Sequence, residues 1–373
     1  MDVILIINIG SSSKKYTAYQ GNQEILSAHF EHVKKGFLVT WGNKEEKINK
    51  DQFNTAIKIF TDKLQQLPLA VGVRIVAPGF TTHKEIDDTY IQSLKKTEEF
   101  ASEHITSTLE EIMKIKDLFP KTKIFGVSDS AFHVTMAQNF YALPKDITQQ
   151  LDIHRYGYHG LSVESVKEKL INNFTLKART IITHLGSGTS VTALLNGESI
   201  YNSMGYSPLS GAVMARRSGS IDPSIVTLLI ERLNLSPREV EKKLNSESGL
   251  LGVSKLSPDI RVLLKAEKNG NQDAHQALEL YIESIREYIG VAVTKLGGID
   301  ALVLTGTVSE RSHQIRKRVL TNLEFLKISF ANNRSSKVLG GVDELISKNN
   351  RPPVYVLTSN ENQMMYQLVK NLL

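Results

Sequence analysis

The 373-residue chain contains no cysteine, which excludes disulfides, thiolate metal ligands and a thiol nucleophile together and suits a reducing compartment. It has one tryptophan, and aromatics make up only 7% of it, which argues against the aromatic-lined basic groove of a single-strand nucleic-acid binder. No apolar run approaches the ~20 residues of a membrane span. The opening MDVILIINIG also lacks the basic segment and small-residue cleavage site of a secretory signal, so the expected address is cytoplasmic. GxxxxGK[ST], HExxH and GxSxG are all missing, so any phosphate chemistry is not of the P-loop kind.

What is present is ordinary for a globular protein with a large core: 41% hydrophobic and 23% charged residues. The length fits two domains. The net charge of +6 comes from 45 basic residues against 39 acidic ones. They are dispersed in short groups, which fits small anionic ligands better than nucleic acid.

A β-branched run, VILIINI at 3–9, stops at Gly10-Ser11-Ser12-Ser13 and is followed by the alternating Lys15-Tyr16-Thr17-Ala18-Tyr19, the pattern of a hairpin. A similar unit recurs half a chain later. There, TIITHL at 180–185 meets Gly186-Ser187-Gly188-Thr189-Ser190, then VTALL and a turn at Asn196-Gly197. Small and hydroxyl-bearing turns let backbone N–H groups approach an anion, and two such hairpins point to an internal duplication. Apolar spacing predicts helices over 97–119, 225–233 and 274–296. Thr307/Glu310 and Thr358/Glu361 have capping-box spacing after the strands IDALVLT and PVYVLT, the former ahead of a helix through 316–325.

Four polar residues stand out by their sequence surroundings. Arg74, inside the apolar AVGVRIVAPG, requires an anion, from either an internal carboxylate or a ligand. Arg217 lies between stretches dense in glycine and serine, as a ligand-facing loop does. Asp129, just past the strand KIFGV, reads as a helix cap or as a carboxylate handling Mg²⁺. His159, in RYGYHG, reads by itself as a structural histidine.

Taken together, IINIGSSSKKY, VRIVAPG, VSDSAFHVTM, YALP, RYGYHGLS, HLGSGTSVTALLNG, SMGYSPLSG, RRSGSIDPSIV, LNSESGLLGVS, DIR and SNEN, in this order, resemble the acetate kinase family of short-chain carboxylate kinases. The resemblance spans the chain from first strand to last helix. It implies an α/β, two-domain actin-like ATPase fold of duplicated ribonuclease-H-like domains around a central cleft. Residues 1–148 would form the N-terminal domain, completed by the helix 361–373, and 149–360 the nucleotide-binding domain. The implied reaction is reversible, Mg²⁺-dependent (or Mn²⁺-dependent), in-line phosphoryl transfer from ATP to acetate, or to propionate, giving an acyl phosphate. The implied assembly is a homodimer with neither nucleic-acid nor membrane partners. The other reading kept open is a non-catalytic or altered-donor homologue, using GTP or pyrophosphate, that acts in ligand binding or regulation.

By the same resemblance, Asn8 and Glu361 order the metal or its waters and Asp129 helps position it. Ser11, Ser13 and Lys15 surround the first phosphate loop, and His184, Gly186, Ser187 and Gly188 the second. Arg74 and Arg217 clamp the carboxylate and the moving phosphoryl group, with His159 hydrogen-bonding the latter. Val76, Tyr158 and Pro208 line the acyl pocket. Asp259, Arg261, Gly306, Thr307 and Glu310 face the nucleotide, and His104 matches a histidine at the site's edge. Such chemistry needs no general base: a carboxylate is already a nucleophile, and the obstacle is repulsion between anions. The chain departs from the family pattern at Ser187, where asparagine is usual, and at Thr307-Val308-Ser309-Glu310-Arg311, where Gly-Ile-Gly-Glu-Asn is usual. Further departures are Tyr158 for Phe, Glu103 for Leu and Ala77-Pro78 for His-Gly.

Overall fold

The computed structural model describes residues 2–10, 13–33, 36–97, 102–137, 140–348 and 352–373, the side chains of 102–104 excepted. The chain forms two compact units, Met1–Ala131 with Asn360–Leu373, and Phe132–Ser359. The dividing points thus fall at 131/132 and 359/360, where the sequence placed them at 148/149 and 360/361. The segment 132–148 groups with the second unit because its side chains bond there: His133 to Ser199 and Thr135 to the Ser199 carbonyl.

The first unit is built on an eight-stranded sheet. Its strands are β1 (Val3–Ile9), β2 (Ser13–Gln20), β3 (Gln23–Val33), β4 (Gly36–Trp41), β5 (Lys44–Ile48), β6 (Ala70–Ile75), β7 (Lys84–Glu85) and β8 (Lys123–Ser128). They lie in the order β5-β4-β3-β2-β1-β6-β8-β7. β1 runs antiparallel to β2 and parallel to β6, and β6 runs parallel to β8. The expected hairpin is therefore β1–β2. Helix Ser102–Leu118 buries Ile105, Leu109, Ile112 and Ile115, one stripe at helical spacing; each such side chain contributes roughly 1.5–3 kcal/mol by leaving water. The beginning of the helical pattern, through Phe100, lies outside the described residues, as do the side chains of Glu103 and His104. Helix Glu361–Leu372 lies so close to β6 that a Cβ at Gly72 would be 2.6 Å from Val369 Cγ2, an approach only glycine permits.

The second unit carries β9 (Arg179–Leu185), β10 (Thr189–Leu195), β11 (Glu198–Asn202), β12 (Ala301–Thr305), β13 (Glu344–Leu345) and β14 (Val354–Val356), in the order β11-β10-β9-β12-β14-β13. The six strands β3-β2-β1-β6-β8-β7 of the first sheet have the same order and directions, which is the expected repeat. Asn196 and Gly197 both take positive φ, 51° and 87°, and close the β10–β11 hairpin. Helix Gln272–Leu296 packs on the β9–β10 core through Leu278, Tyr281, Ile285 and Ile289, and helix Gly160–Asn173 packs through Val163, Val166 and Leu170 against Ile182 and Val303. Helix Pro223–Leu233 differs: none of its residues is buried, although it carries Ile225, Val226, Leu228, Leu229, Ile230 and Leu233. No helix among the described residues is long and apolar enough to cross a membrane.

Both expected capping boxes are corrected. Glu310 reaches back to Gly306 N, not Thr307, and the helix ends at Arg311. Ser312 then caps His313–Leu320 as a separate helix. Likewise Asn360, not Thr358, caps the helix Glu361–Leu372, while Thr358 Oγ1 donates to Asp343.

Candidate active site

The carboxyl ends of the parallel strands β1, β6 and β8 bring four polar side chains of the first unit together, the usual location of ligand sites in open α/β sheets. Asn8 ends β1, Arg74 sits one residue before the end of β6, and Asp129 follows β8, its N–H bonded to the Ile75 carbonyl at 2.9 Å. Glu361 opens helix Glu361–Leu372, where the positive end of the helix dipole favours a carboxylate. Arg74 donates to Asp129 Oδ1 through Nε (3.1 Å) and Nη2 (2.8 Å), and through Nη1 to Glu361 Oε2 (3.0 Å) and Asn8 Oδ1 (3.3 Å). Asn8 Nδ2 in turn donates to Glu361 Oε2 at 3.1 Å. Burial alone would lower the pKa of Arg74; Asp129 and Glu361 outweigh it and raise it above the ordinary value. The guanidinium thus holds two carboxylates, the ion-pair reading of an arginine inside an apolar strand, and its four bonds here leave one of its five N–H groups for a further partner. One cation against two anions gives this cluster an affinity for positive charge.

In the first turn, Gly10 N donates to the Ser13 carbonyl at 2.8 Å. Ser13 is half-buried, Lys15 is exposed, and Ser11 lies outside the described residues. The buried lysine is Lys14. Its Nζ meets Glu111 Oε2 at 2.9 Å, and Tyr16 donates to Glu111 Oε1 at 2.6 Å. This group anchors the strand leaving the turn.

The second unit assembles a different set. His159, at φ 62°, precedes helix Gly160–Asn173 in the left-handed region, which is uncommon for a side chain with Cβ. The Tyr158 carbonyl just before it is fixed from two sides, by His133 Nε2 at 3.0 Å and Asn202 Nδ2 at 3.0 Å. Because a carbonyl only accepts, the His133 ring donates through Nε2, and Nδ1 accepts from Ser199 Oγ at 2.8 Å. Burial lowers His133 to about 4, which keeps it neutral. His159 Nδ1 meets Ser190 Oγ of β10 at 2.9 Å, its ring stands 4.2 Å from that of His184, and His184 Nδ1 meets Ser162 Oγ at 2.7 Å. A Cβ on Gly188 would lie 3.0 Å from His159 Nε2 and 3.5 Å from Arg217 Nη1. The glycine turn, the imidazole and the second guanidinium are therefore neighbours. Gly186 N donates to the Gly188 carbonyl at 2.9 Å, and exposed Ser187 accepts from Ala215 N at 3.2 Å. This set is suited to an anion.

The remaining expected residues are distributed as follows. Val76 is half-buried just after β6 in the first unit, and Tyr158 and Pro208 belong to the second. The Tyr158 hydroxyl donates to the Tyr206 carbonyl at 2.7 Å, so it serves the protein's own backbone. Asp259 caps helix Ile260–Lys268 and pairs with exposed Arg261 at 2.6 Å; hydrogen bonds from Arg261 hold the Asp259 carboxyl below its usual range. Gly306 (φ 85°) passes so near β9 that a Cβ would meet the Leu185 carbonyl at 2.6 Å. Thr307 is exposed, and burial raises the Glu310 carboxyl above its ordinary value. Sequence reasoning missed His133, Asn202, Glu111 and Lys14. Two of them lay in quoted motifs, His133 in VSDSAFHVTM and Lys14 in IINIGSSSKKY.

Residues 3–367 match the model of the acetokinase family. Acetate kinases from Methanosarcina thermophila and Treponema denticola are 34% and 33% identical over 99% and 97% of this chain, and 96% and 97% of their own lengths. Among solved structures, a propionate kinase from Francisella tularensis shares 30% identity and superposes with a TM-score of 0.90, covering all of both chains. Porphyromonas gingivalis acetate kinase shares 29% identity with a TM-score of 0.86, again over the whole of both chains. With two units built on one repeated strand order and matches over nearly its full length, this chain belongs to the acetokinase family.

Proposed function

We propose that this protein transfers a phosphoryl group from ATP to a short-chain carboxylate, acetate first and propionate second, forming an acyl phosphate. The observation that carries the reading is the opposite charge of the two clusters. Arg74 with Asp129 and Glu361 favours a cation, while His159, Arg217 and the Gly186–Gly188 turn favour an anion. Moving a phosphoryl group onto a carboxylate needs both, because the barrier is repulsion between negatively charged reactants.

Mg²⁺ fits the first cluster. Its donors are hard oxygens of Asn8, Asp129 and Glu361, and Mg²⁺ keeps several waters, so two carboxylates with substrate phosphates suffice. Arg74 uses Asp129 Oδ1 and Glu361 Oε2, so its bonds involve only one oxygen of each carboxylate. When bound, the ion would neutralise charge on the phosphates. The chain's own residues do the rest. Arg74 fixes both carboxylates and presents its fifth N–H to the acid. His159, held in one orientation by Ser190 and the clamped Tyr158 carbonyl, donates to the phosphoryl oxygens beside Arg217.

The proposed setting is the cytoplasm, in keeping with the absence of cysteine, and the proposed assembly is a homodimer. Helix Pro223–Leu233, with six large apolar residues and none buried, supports a partner surface; Leu228→Glu should lower the mass measured by light scattering. Hydroxylamine trapping of acyl phosphate, run over short acids with ATP, GTP and pyrophosphate, tests the activity. ATP-dependent product with acetate or propionate is expected. No product from any acid with ATP would overturn the reading.

A further inference from the structure

The second unit holds a cavity of about 430 Å³, of small-ligand size, whose lining includes Tyr141, Arg155, Tyr201, Ser220, Tyr288 and Lys295. None of these belongs to the clusters above. Among the described residues no carboxylate lines the cavity.

Donors around the cavity are left over. Among the described residues Arg155 makes no ion pair and one long hydrogen bond, from Nη2 to the Asn202 carbonyl at 3.4 Å, and its guanidinium lies 5.4 Å from the centre of the Tyr141 ring. Tyr141 Oη accepts from Tyr206 N at 2.8 Å, which leaves its proton to donate. Ser220 Oγ accepts from both Gly211 N and Tyr288 Oη at 3.0 Å, so its own proton is likewise a donor. The Tyr201 hydroxyl has no partner among the described residues. Burial raises its pKa while the Arg155 charge pulls the other way, as expected for neighbours. A half-buried guanidinium with donor hydroxyls around it and no carboxylate is chemically incomplete, and what completes it is an oxyanion with several acceptor oxygens.

We propose that this cavity binds a small, multiply charged oxyanion, a polycarboxylate or a phosphate, through Arg155 and the hydroxyls of Tyr201, Tyr141 and Ser220. The site stands apart from the kinase reading, since binding heat requires no turnover.

Isothermal titration with citrate and, separately, with inorganic phosphate, each against matched NaCl, tests it and distinguishes the two sources. At least one is expected to bind wild-type protein with a Kd of about 1 mM or tighter. Arg155→Met should weaken that binding ~10-fold or more and Tyr201→Phe by ~3-fold, while Arg217→Ala should leave it unchanged. If Arg155→Met fails to fold, as a thermal melt would report, Tyr201→Phe, which removes a single oxygen, carries the test. The proposal is overturned if neither anion binds up to about 20 mM, if both cavity variants bind like wild type, or if Arg217→Ala abolishes the signal.

Discussion

In the first unit a guanidinium lies against two carboxylates and an amide; in the second, one lies beside a bare glycine turn and an imidazole. The same strand order presents both, at the ends of β1, β6 and β8 in one case and around the β9–β10 turn in the other. A repeated fold fixes where a site forms and leaves its charge to the side chains. In the first unit Glu361 and Asp129 enter from a terminal helix and from the residue after β8. In the second, Gly188 leaves space that Cβ would fill. The arginine of the first unit is thereby part of the fold's own ion-pair network, and that of the second borders an open turn.

The largest effects should come from removing each arginine. Arg74→Ala and Arg217→Ala should each lose about 2–4 kcal/mol of transition-state stabilisation, read as kcat/KM in the trapping assay. Their stabilities should separate. Arg74→Ala leaves two carboxylates facing each other and should cost about 3 kcal/mol in denaturant unfolding, while Arg217→Ala should cost less. Equal stability losses would break the contrast.

Acid comes next. His133 in the second unit and His29 in the first are both lowered to about 4 by burial, with Lys15 adding to the effect at His29. A base harder to protonate when folded gives stability that is complete above the ordinary histidine pKa near 6.5 and is lost as pH falls toward 4. About 3 kcal/mol is at stake for His133. His133→Gln should flatten the fall in melting temperature between pH 6.5 and 4 and leave the part due to His29; an unchanged slope would show that His133 does not carry it.

The turns offer a finer contrast. Gly188→Ala should lower kcat ~10-fold by pressing on His159, whereas among the described residues Gly10→Ala meets Ser13, its Oγ at 3.3 Å and its carbonyl oxygen at 3.7 Å, and should stay within ~3-fold. The smallest effect belongs to Tyr158→Phe. It removes a bond to the Tyr206 carbonyl worth about 1 kcal/mol and should leave the acetate-to-propionate ratio within ~3-fold, because that hydroxyl is engaged by backbone.

Much of this was legible in the sequence. Runs such as VILIINI and TIITHL carry strand chemistry in each residue, and glycine–serine turns mark where they reverse, so both hairpins could be read locally. Arg74 was conspicuous because a charge in an apolar strand requires a partner. The identity of those partners was not legible, since Glu361 lies 287 residues away. Lys14 shows the same limit. Alternation says that one of Lys14 and Lys15 faces inward, and only Glu111, 97 residues on, decides which. The Thr-x-x-Glu spacings misled because Glu310 found a backbone N–H one residue earlier and Thr358 found Asp343. A spacing rule cannot weigh such competitors. Asn202 and His133 bear on His159 only through the Tyr158 carbonyl, and no pattern of residue types announces a backbone contact.

The terminal helix carries one more consequence, for synthesis. Its Tyr366 ring stacks on Tyr19 at 4.8 Å and its Val369 rests over Gly72, so strands made first by the ribosome wait for a segment made much later. A nascent chain that has emitted Arg74 and Asp129 still lacks Glu361, and its sheet keeps an uncovered patch of core until translation has moved on. Fragments ending early should therefore be sticky and inert together, recognisable to cellular quality control by the same unfilled place.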